Sequence, residues 1–199
     1  MKRPFDLAAS FLGVVLLSPL LCAVALCIRV CDGSPVFFRQ ARVGRGGKPF
    51  RMWKFRTMVP DAEKRGALLT VGGDGRITAL GKRLRGWKID ELPQLFNVLD
   101  GTMSLVGPRP EVARYVARYS PEERRVLDLM PGITDPASIR YRDESERLAR
   151  AEDPEEYYVR VLVPEKIRLN LEYGKKATLS RDIRVILMTL VPRLPLRTP

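Results

Sequence analysis

Residues 7–28, LAASFLGVVLLSPLLCAVALCI, make one uncharged apolar run near the start of the chain. As a single helix that run would extend ~33 Å, about the thickness of a bilayer core. Three paths fit it: a spanning helix, a cleaved signal peptide ending near Ala23-Val24-Ala25, or a bent helix that enters and leaves on one side. Ser18-Pro19 lies at its centre. Proline removes a backbone donor and crowds the carbonyl of Val15, while the Ser18 hydroxyl is expected to bond back to the carbonyl of Val14. Positive residues flank both ends, Lys2 and Arg3 before and Arg29, Arg39, Arg42, Arg45 and Lys48 after. Such symmetry leaves a crossing ambiguous under the positive-inside rule.

Beyond this run the pattern changes period. Residues 35–58 hold two extended, aromatic-rich stretches around Gly44-Arg45-Gly46-Gly47, which predicts a β-hairpin. Residues 61–76, ending in GGDGR, read as a surface loop. Leu92, Leu95, Phe96 and Leu99 recur at helical spacing and predict a short helix with one apolar face. Pro93 suits its first turn and Gly101 its stop. The stretch 143–172 is charged and helix-prone, and 180–199 mixes apolar residues with Arg181, Arg184, Arg193 and Arg197. The last segment fits an interfacial amphipathic helix or an ordinary core helix.

The 199 residues carry a net charge of +12 and no histidine. The charge points to anionic partners: nucleic acid, phosphate esters or acidic lipid. The missing histidine excludes Ser-His-Asp and Cys-His catalysis and histidine-ligated zinc. Cys22, Cys27 and Cys31 sit in or beside the apolar run and form no CxxC pair, so they read as apolar fillers. The glycines of 44–47 are no P-loop, because Lys48 is followed by Pro49.

Candidate chemistry concentrates in GWKIDELPQLFNVLDG, residues 86–101. Asp90 and Glu91 stand where the helix begins, behind Arg83, Arg85 and Lys88. Helix-start N–H groups and these cations are expected to keep Asp90 ionised, as a nucleophile toward phosphorus or a ligand to Mg²⁺. Glu91 could serve as a base or second ligand. The plainer reading pairs the two carboxylates with Arg83 and Lys88 as a surface turn. Phosphoryl transfer needs cations above all, and Lys54, Arg85, Arg109 and Arg140 are candidates. Pro108 and Pro110 stiffen the backbone around Arg109.

Taken in order, the set Lys2-Arg3-Pro4-Phe5-Asp6, Ser18-Pro19, PVFFRQ (35–40), KFRTM (54–58), DELPQLFNVL (90–99), MSLVGPRP (103–110) and PGIT (131–134) resembles the monotopic phosphoglycosyl transferases, or bacterial sugar transferases. The resemblance implies a mixed α/β, mostly helical fold. Residues 1–31 would be a re-entrant membrane helix broken at Ser18-Pro19, and 32–199 a catalytic domain with a small hairpin and interfacial amphipathic helices. It implies transfer of a sugar-1-phosphate from a UDP-sugar to polyprenol phosphate, releasing UMP, with Mg²⁺ as cofactor. It places the protein monotopically on the cytoplasmic face of a bacterial inner membrane, among anionic lipids. By carry-over Asp90 attacks the β-phosphate and binds metal, and Glu91 completes a dyad. Lys54, Arg85, Arg109 and Arg140 would bind phosphate and nucleotide. Arg140 rests on DPASIR (135–140), which replaces the commoner GWAQVNGR. Two rivals are a single-displacement transferase with Asp90 as metal ligand only, and a membrane-anchored basic nucleic-acid-binding protein. For the second there is no helix-turn-helix, zinc finger or RNP motif. Sugar selection is expected from loop 60–76 and the region after Thr134.

Overall fold

A computed structural model describes residues 2–62, 69 and 74–191. The chain is mostly helical. Helix α1 spans Lys2–Cys31, with a hairpin of β1 (Phe37–Val43) and β2 (Pro49–Phe55) after it. Then come α2 (Ala79–Gly86), a 3-10 turn at Ile89–Glu91 and α3 (Gln94–Asp100). Strands β3 (Ser104–Val106) and β4 (Gly132–Thr134) pair in parallel, with α4 (Ala113–Val116) between them. Helices α5 (Pro136–Arg140), α6 (Glu144–Arg150), α7 (Pro154–Tyr157), α8 (Val163–Lys175) and α9 (Leu179–Leu190) complete the described fold.

Helix α1 is apolar all round yet buried along one stripe. Asp6, Ser10, Val24 and Ile28 are buried, at spacings that return to one helix face. Phe11, Leu12, Val15, Leu16, Leu20, Leu26 and Val30 are exposed. This is one helix long and apolar enough to cross a membrane. Its two ends nevertheless touch the same body. At the first, the Arg3 guanidinium donates to the Val98 carbonyl at 2.7 Å, capping the C-terminus of α3. The turn there needs Gly101, whose φ of +89° favours glycine and whose added Cβ would meet Arg3 Nη2 at 3.3 Å. Lys2 Nζ pairs with Asp182 of α9 at 2.5 Å, and Ser104 Oγ donates to buried Asp6 at 2.7 Å. At the far end Val24 and Ile28 pack with Phe55 and Leu84. Buried Arg56 donates there to the carbonyls of Asp32, Gly33 and Ser34 at 2.6–2.8 Å.

The helix continues through Ser18-Pro19 as one element, with Pro19 inside it. Pro19 has no N–H for the Val15 carbonyl, and the Ser18 hydroxyl takes that acceptor at 2.8 Å. The hydroxyl thus bonds Val15 and not Val14, because Val15 is the carbonyl the proline orphans.

The hairpin is as expected, antiparallel and in register from Phe37 opposite Phe55 to Val43 opposite Pro49. Helix α3 departs from its pattern. It buries Gln94, Asn97 and Val98, while Phe96 is exposed and Leu95 faces α1 at Gly13. Asn97 explains the inversion. Its Oδ1 accepts from the Trp53 N–H at 2.9 Å and its Nδ2 donates to the Arg51 carbonyl at 3.0 Å. The side chain takes the place of a neighbouring strand along β2. Helix α9 buries Asp182, Val185 and Met188 but leaves Ile183, Leu187 and Leu190 exposed, so it has a core face and a second apolar stripe.

Candidate functional site

The two carboxylates lie in the 3-10 turn Ile89–Glu91, just before α3. Lys88 precedes them in the left-handed conformation, φ +55°. That reversal points consecutive residues of a short turn in different directions, so Asp90 and Glu91 meet different surroundings. Helix α2 brings Arg85 in from one side. Gly81 permits its close approach, since an added Cβ would sit 2.1 Å from the Thr57 carbonyl oxygen. Thr57 Oγ1 in turn accepts from Arg85 Nε at 2.8 Å.

Glu91 is held by two cations from distant segments. Lys54 Nζ on β2 donates to its Oε1 at 3.0 Å. The Arg109 guanidinium grips both oxygens, with Nη1 to Oε2 at 3.2 Å and Nη2 to Oε1. Burial opposes the Glu91 charge, but Arg109 and Lys54 outweigh it and hold the carboxyl well below the usual carboxylate range. Glu91 raises the Arg109 guanidinium in return. Lys54 is pushed down, chiefly by burial, with Arg109 and Arg42 adding to it against Glu91. The turn partners expected for these carboxylates, Arg83 and Lys88, are therefore not the ones used.

Asp90 is the opposite case. It is 6% exposed, and among the described residues nothing donates a hydrogen bond to its carboxylate. Burial pushes its pKa up, the adjacent Glu91 charge adds to this, and Lys54, Arg85 and Arg109 only partly oppose it. The cations expected to favour the Asp90 charge do act to lower its pKa, but they do not outweigh burial and Glu91. The Asp90 carboxyl therefore holds its proton more tightly than a free aspartate does.

Both carboxylates line a cavity of about 720 Å³. Lys54, Arg85, Lys88 and Arg109 line it near them, and Arg42, Tyr141, Glu144, Tyr158 and Lys166 form other parts of its wall. Lys166 Nζ pairs with Glu144 at 2.6 Å. The Tyr158 hydroxyl donates to Glu111 at 2.9 Å, and Arg42 stands 3.5 Å from Glu111. Arg140 stands apart: it is exposed at the end of α5 and is not among the lining residues, whereas Ser138, Tyr141 and Arg142 of the same segment are. Of the residues expected in the site, the structure brings together Lys54, Arg85, Asp90, Glu91 and Arg109. Glu111, Glu144 and Lys166 had no motif of their own, although Glu111 directly follows the Gly107-Pro-Arg-Pro110 turn. Of loop 60–76, residues 63–68 and 70–73 lie outside the described residues, as do Arg193 and Arg197.

Among the described residues no three acidic or cysteine side chains gather into a metal cage. Mg²⁺ usually takes one or two carboxylates and completes its shell with phosphates and water. Asp90 fits that mode, with both oxygens clear of donors among the described residues. Glu91 fits it poorly, since Lys54 and Arg109 occupy its oxygens.

Comparison with known proteins matches residues 1–194 to the family described as bacterial sugar transferase. An Aeromonas hydrophila UDP-N-acetylgalactosamine-undecaprenyl-phosphate N-acetylgalactosaminephosphotransferase is 46% identical over 61% of this chain and 29% of its own length. An Escherichia coli (strain K12) UDP-glucose:undecaprenyl-phosphate glucose-1-phosphate transferase is 33% identical over 96% of this chain and 39% of its own length. The protein of the same description from Caulobacter vibrioides is 38% identical over 95% of this chain and 68% of its own. This chain thus spans well under half the length of the first two. With the match running from residue 1 to residue 194, the chain belongs to the bacterial sugar transferase family.

Proposed function

We propose that the protein transfers a sugar-1-phosphate from a UDP-sugar to a polyprenol phosphate at a membrane surface, releasing UMP. The carrying observation is Asp90: a buried carboxylate without a donor among the described residues, on the wall of a cation-lined cavity. The names of the relatives supply the substrate class. The membrane-anchored nucleic-acid-binding alternative has no comparable support.

The chemistry follows from the division of labour between the two carboxylates. An oxygen of Asp90 attacks the β-phosphorus of the sugar nucleotide. The bond from that phosphorus to the bridging oxygen breaks, and UMP leaves with the bond's electron pair. Arg85, which has no carboxylate partner among the described residues, offers its charge to the diphosphate. Lys54 and Arg109 supply charge already fixed in place by Glu91, so Glu91 acts by positioning. In the second step a lipid phosphate oxygen bonds the same phosphorus as the Asp90 oxygen–phosphorus bond breaks. Mg²⁺, held by Asp90 with substrate phosphates, would neutralise charge on the diphosphate. Asp90 has two oxygens for these two tasks.

We further read α1 as re-entrant, with both ends on the cytoplasmic side of the inner membrane. Support comes from the shared body that Lys2, Arg3, Val24 and Ile28 all contact, and from the apolar residues between those ends that remain exposed. A spanning helix would place its two ends a bilayer apart. Ser18-Pro19 would then be a bend point within a continuous helix, and α9 an interfacial helix whose exposed stripe meets anionic lipid. The test of the chemistry is intact-mass measurement after incubation with a panel of UDP-sugars and Mg²⁺ but no lipid acceptor. One sugar should leave a covalent sugar-phosphate on the parent protein and none on Asp90→Asn. Normal turnover without an adduct would favour single displacement.

A further inference from the structure

The turn Gly86-Trp87-Lys88 has no part in the chemistry above, yet it occupies a telling position. Trp87 is 81% exposed, the most exposed large apolar side chain described. Lys88 lines the cavity two residues before Asp90; its backbone N–H bonds the Arg85 carbonyl at 3.0 Å, but its ammonium has no hydrogen-bond or ion-pair partner among the described residues. Its left-handed backbone, φ +55°, is a conformation lysine adopts only at a cost, and it turns the chain between the exposed tryptophan and the buried aspartate. The residues on either side of the turn, Leu84 and Ile89, are seated against the second half of α1, at Val24 and Ile28. The turn therefore joins the wall of the cavity to the helix proposed to lie in the membrane.

Tryptophan favours the bilayer interface, where its ring meets the acyl boundary and its N–H meets water. Lysine is a compact charge on a flexible stem, suited to a phosphate that arrives and leaves. Resting on the proposed function, we infer that this turn is the port for the lipid acceptor. Trp87 sits in the interface beside the acceptor's chain, and the Lys88 ammonium receives its phosphate monoester and delivers it toward Asp90. The proposal commits to a lipid-borne phosphate, because an exposed tryptophan next to α1 has no use for a soluble one. Lys88 neutralises the incoming phosphate, which would otherwise be repelled by a phosphorylated Asp90 beside Glu91.

The test measures KM separately for UDP-sugar and for polyprenol phosphate, with the full-length protein in phospholipid nanodiscs and the best sugar from the panel. Lys88→Gln and Trp87→Ser should each raise the KM for the lipid acceptor at least fivefold and leave the KM for UDP-sugar within twofold. Lys88→Arg should restore the acceptor KM. Lys82→Ala, an exposed α2 lysine away from the cavity, should change neither value. Equal effects on both substrates, or none on the acceptor, would overturn the port. So would Trp87→Ser raising KM equally for polyprenol phosphate and for a water-soluble short-chain phosphate, since that locates the contact on phosphate alone. If the parent protein releases no UMP from any UDP-sugar, the proposed function itself fails.

Discussion

At the scale of the residue, neighbouring carboxylates are driven apart by their surroundings. Glu91 gains Lys54 and Arg109 and becomes a fixed anion; Asp90 gains none of the described donors, and burial pushes its pKa up. The signs of the consequences differ. A carboxylate raised in the folded state binds its proton more tightly than in the unfolded chain, so ionised Asp90 lowers stability as pH rises from the ordinary aspartate range through the raised value. Asp90→Asn should therefore raise Tm at neutral pH while lowering turnover on the order of 10³-fold or more. Glu91 contributes stability that is present above the ordinary glutamate value and is lost as pH falls through its depressed one. Glu91→Gln strands two cations and should cost about 3 kcal/mol. Thermal melts of both variants across pH 4–8 would check this, and a lower Tm for Asp90→Asn would contradict the assignment. For the same reason kcat/KM should rise with pH through the Asp90 titration.

At the scale of the element, periodicity located helices but did not say what their faces meet. The hairpin was legible because glycines and extended aromatic runs are local signals. The apolar stripe of α3 was equally legible, yet it lies toward α1 and solvent while Asn97 and Gln94 turn inward. Satisfying the Trp53 and Arg51 backbone groups outranks burying Phe96, and that need arises only when β2 is alongside. Helix α1 shows the same limit. Its length and Ser18-Pro19 were plain, but the continuity through Pro19 depends on one hydroxyl reaching Val15. Its path is open to direct test. With Cys22, Cys27 and Cys31 replaced by serine, single cysteines at Pro4 and Ser34 should both label from the cytoplasmic side only. Labelling from opposite sides would restore a spanning helix.

At the scale of the whole molecule, a +12 charge accompanies exposed apolar residues on α1 and α9. Helices α1 and α9, which carry those exposed residues, are tied together by Lys2–Asp182, and Tyr173 also donates to Asp182 at 2.6 Å. Electrostatic attraction to acidic lipid weakens with salt, whereas apolar insertion does not. In sedimentation with phospholipid vesicles, binding should be tightest to anionic vesicles at low salt. A substantial bound fraction should remain in 1 M NaCl. Complete release at that salt would mean the apolar face does not insert.

The sequence alone determined which residues could do chemistry: a carboxylate pair at a helix start, arginine and lysine for phosphate, no histidine, and an apolar run long enough for a bilayer. Those are properties of local spacing and residue type. Tertiary structure decided which carboxylate is bound and which is bare, that Arg140 stays outside the cavity, that Glu144 and Lys166 form part of its wall, and that both ends of α1 rest on one body. Pairing and desolvation depend on side chains tens of residues apart, and burial exists only once the cavity has closed around them.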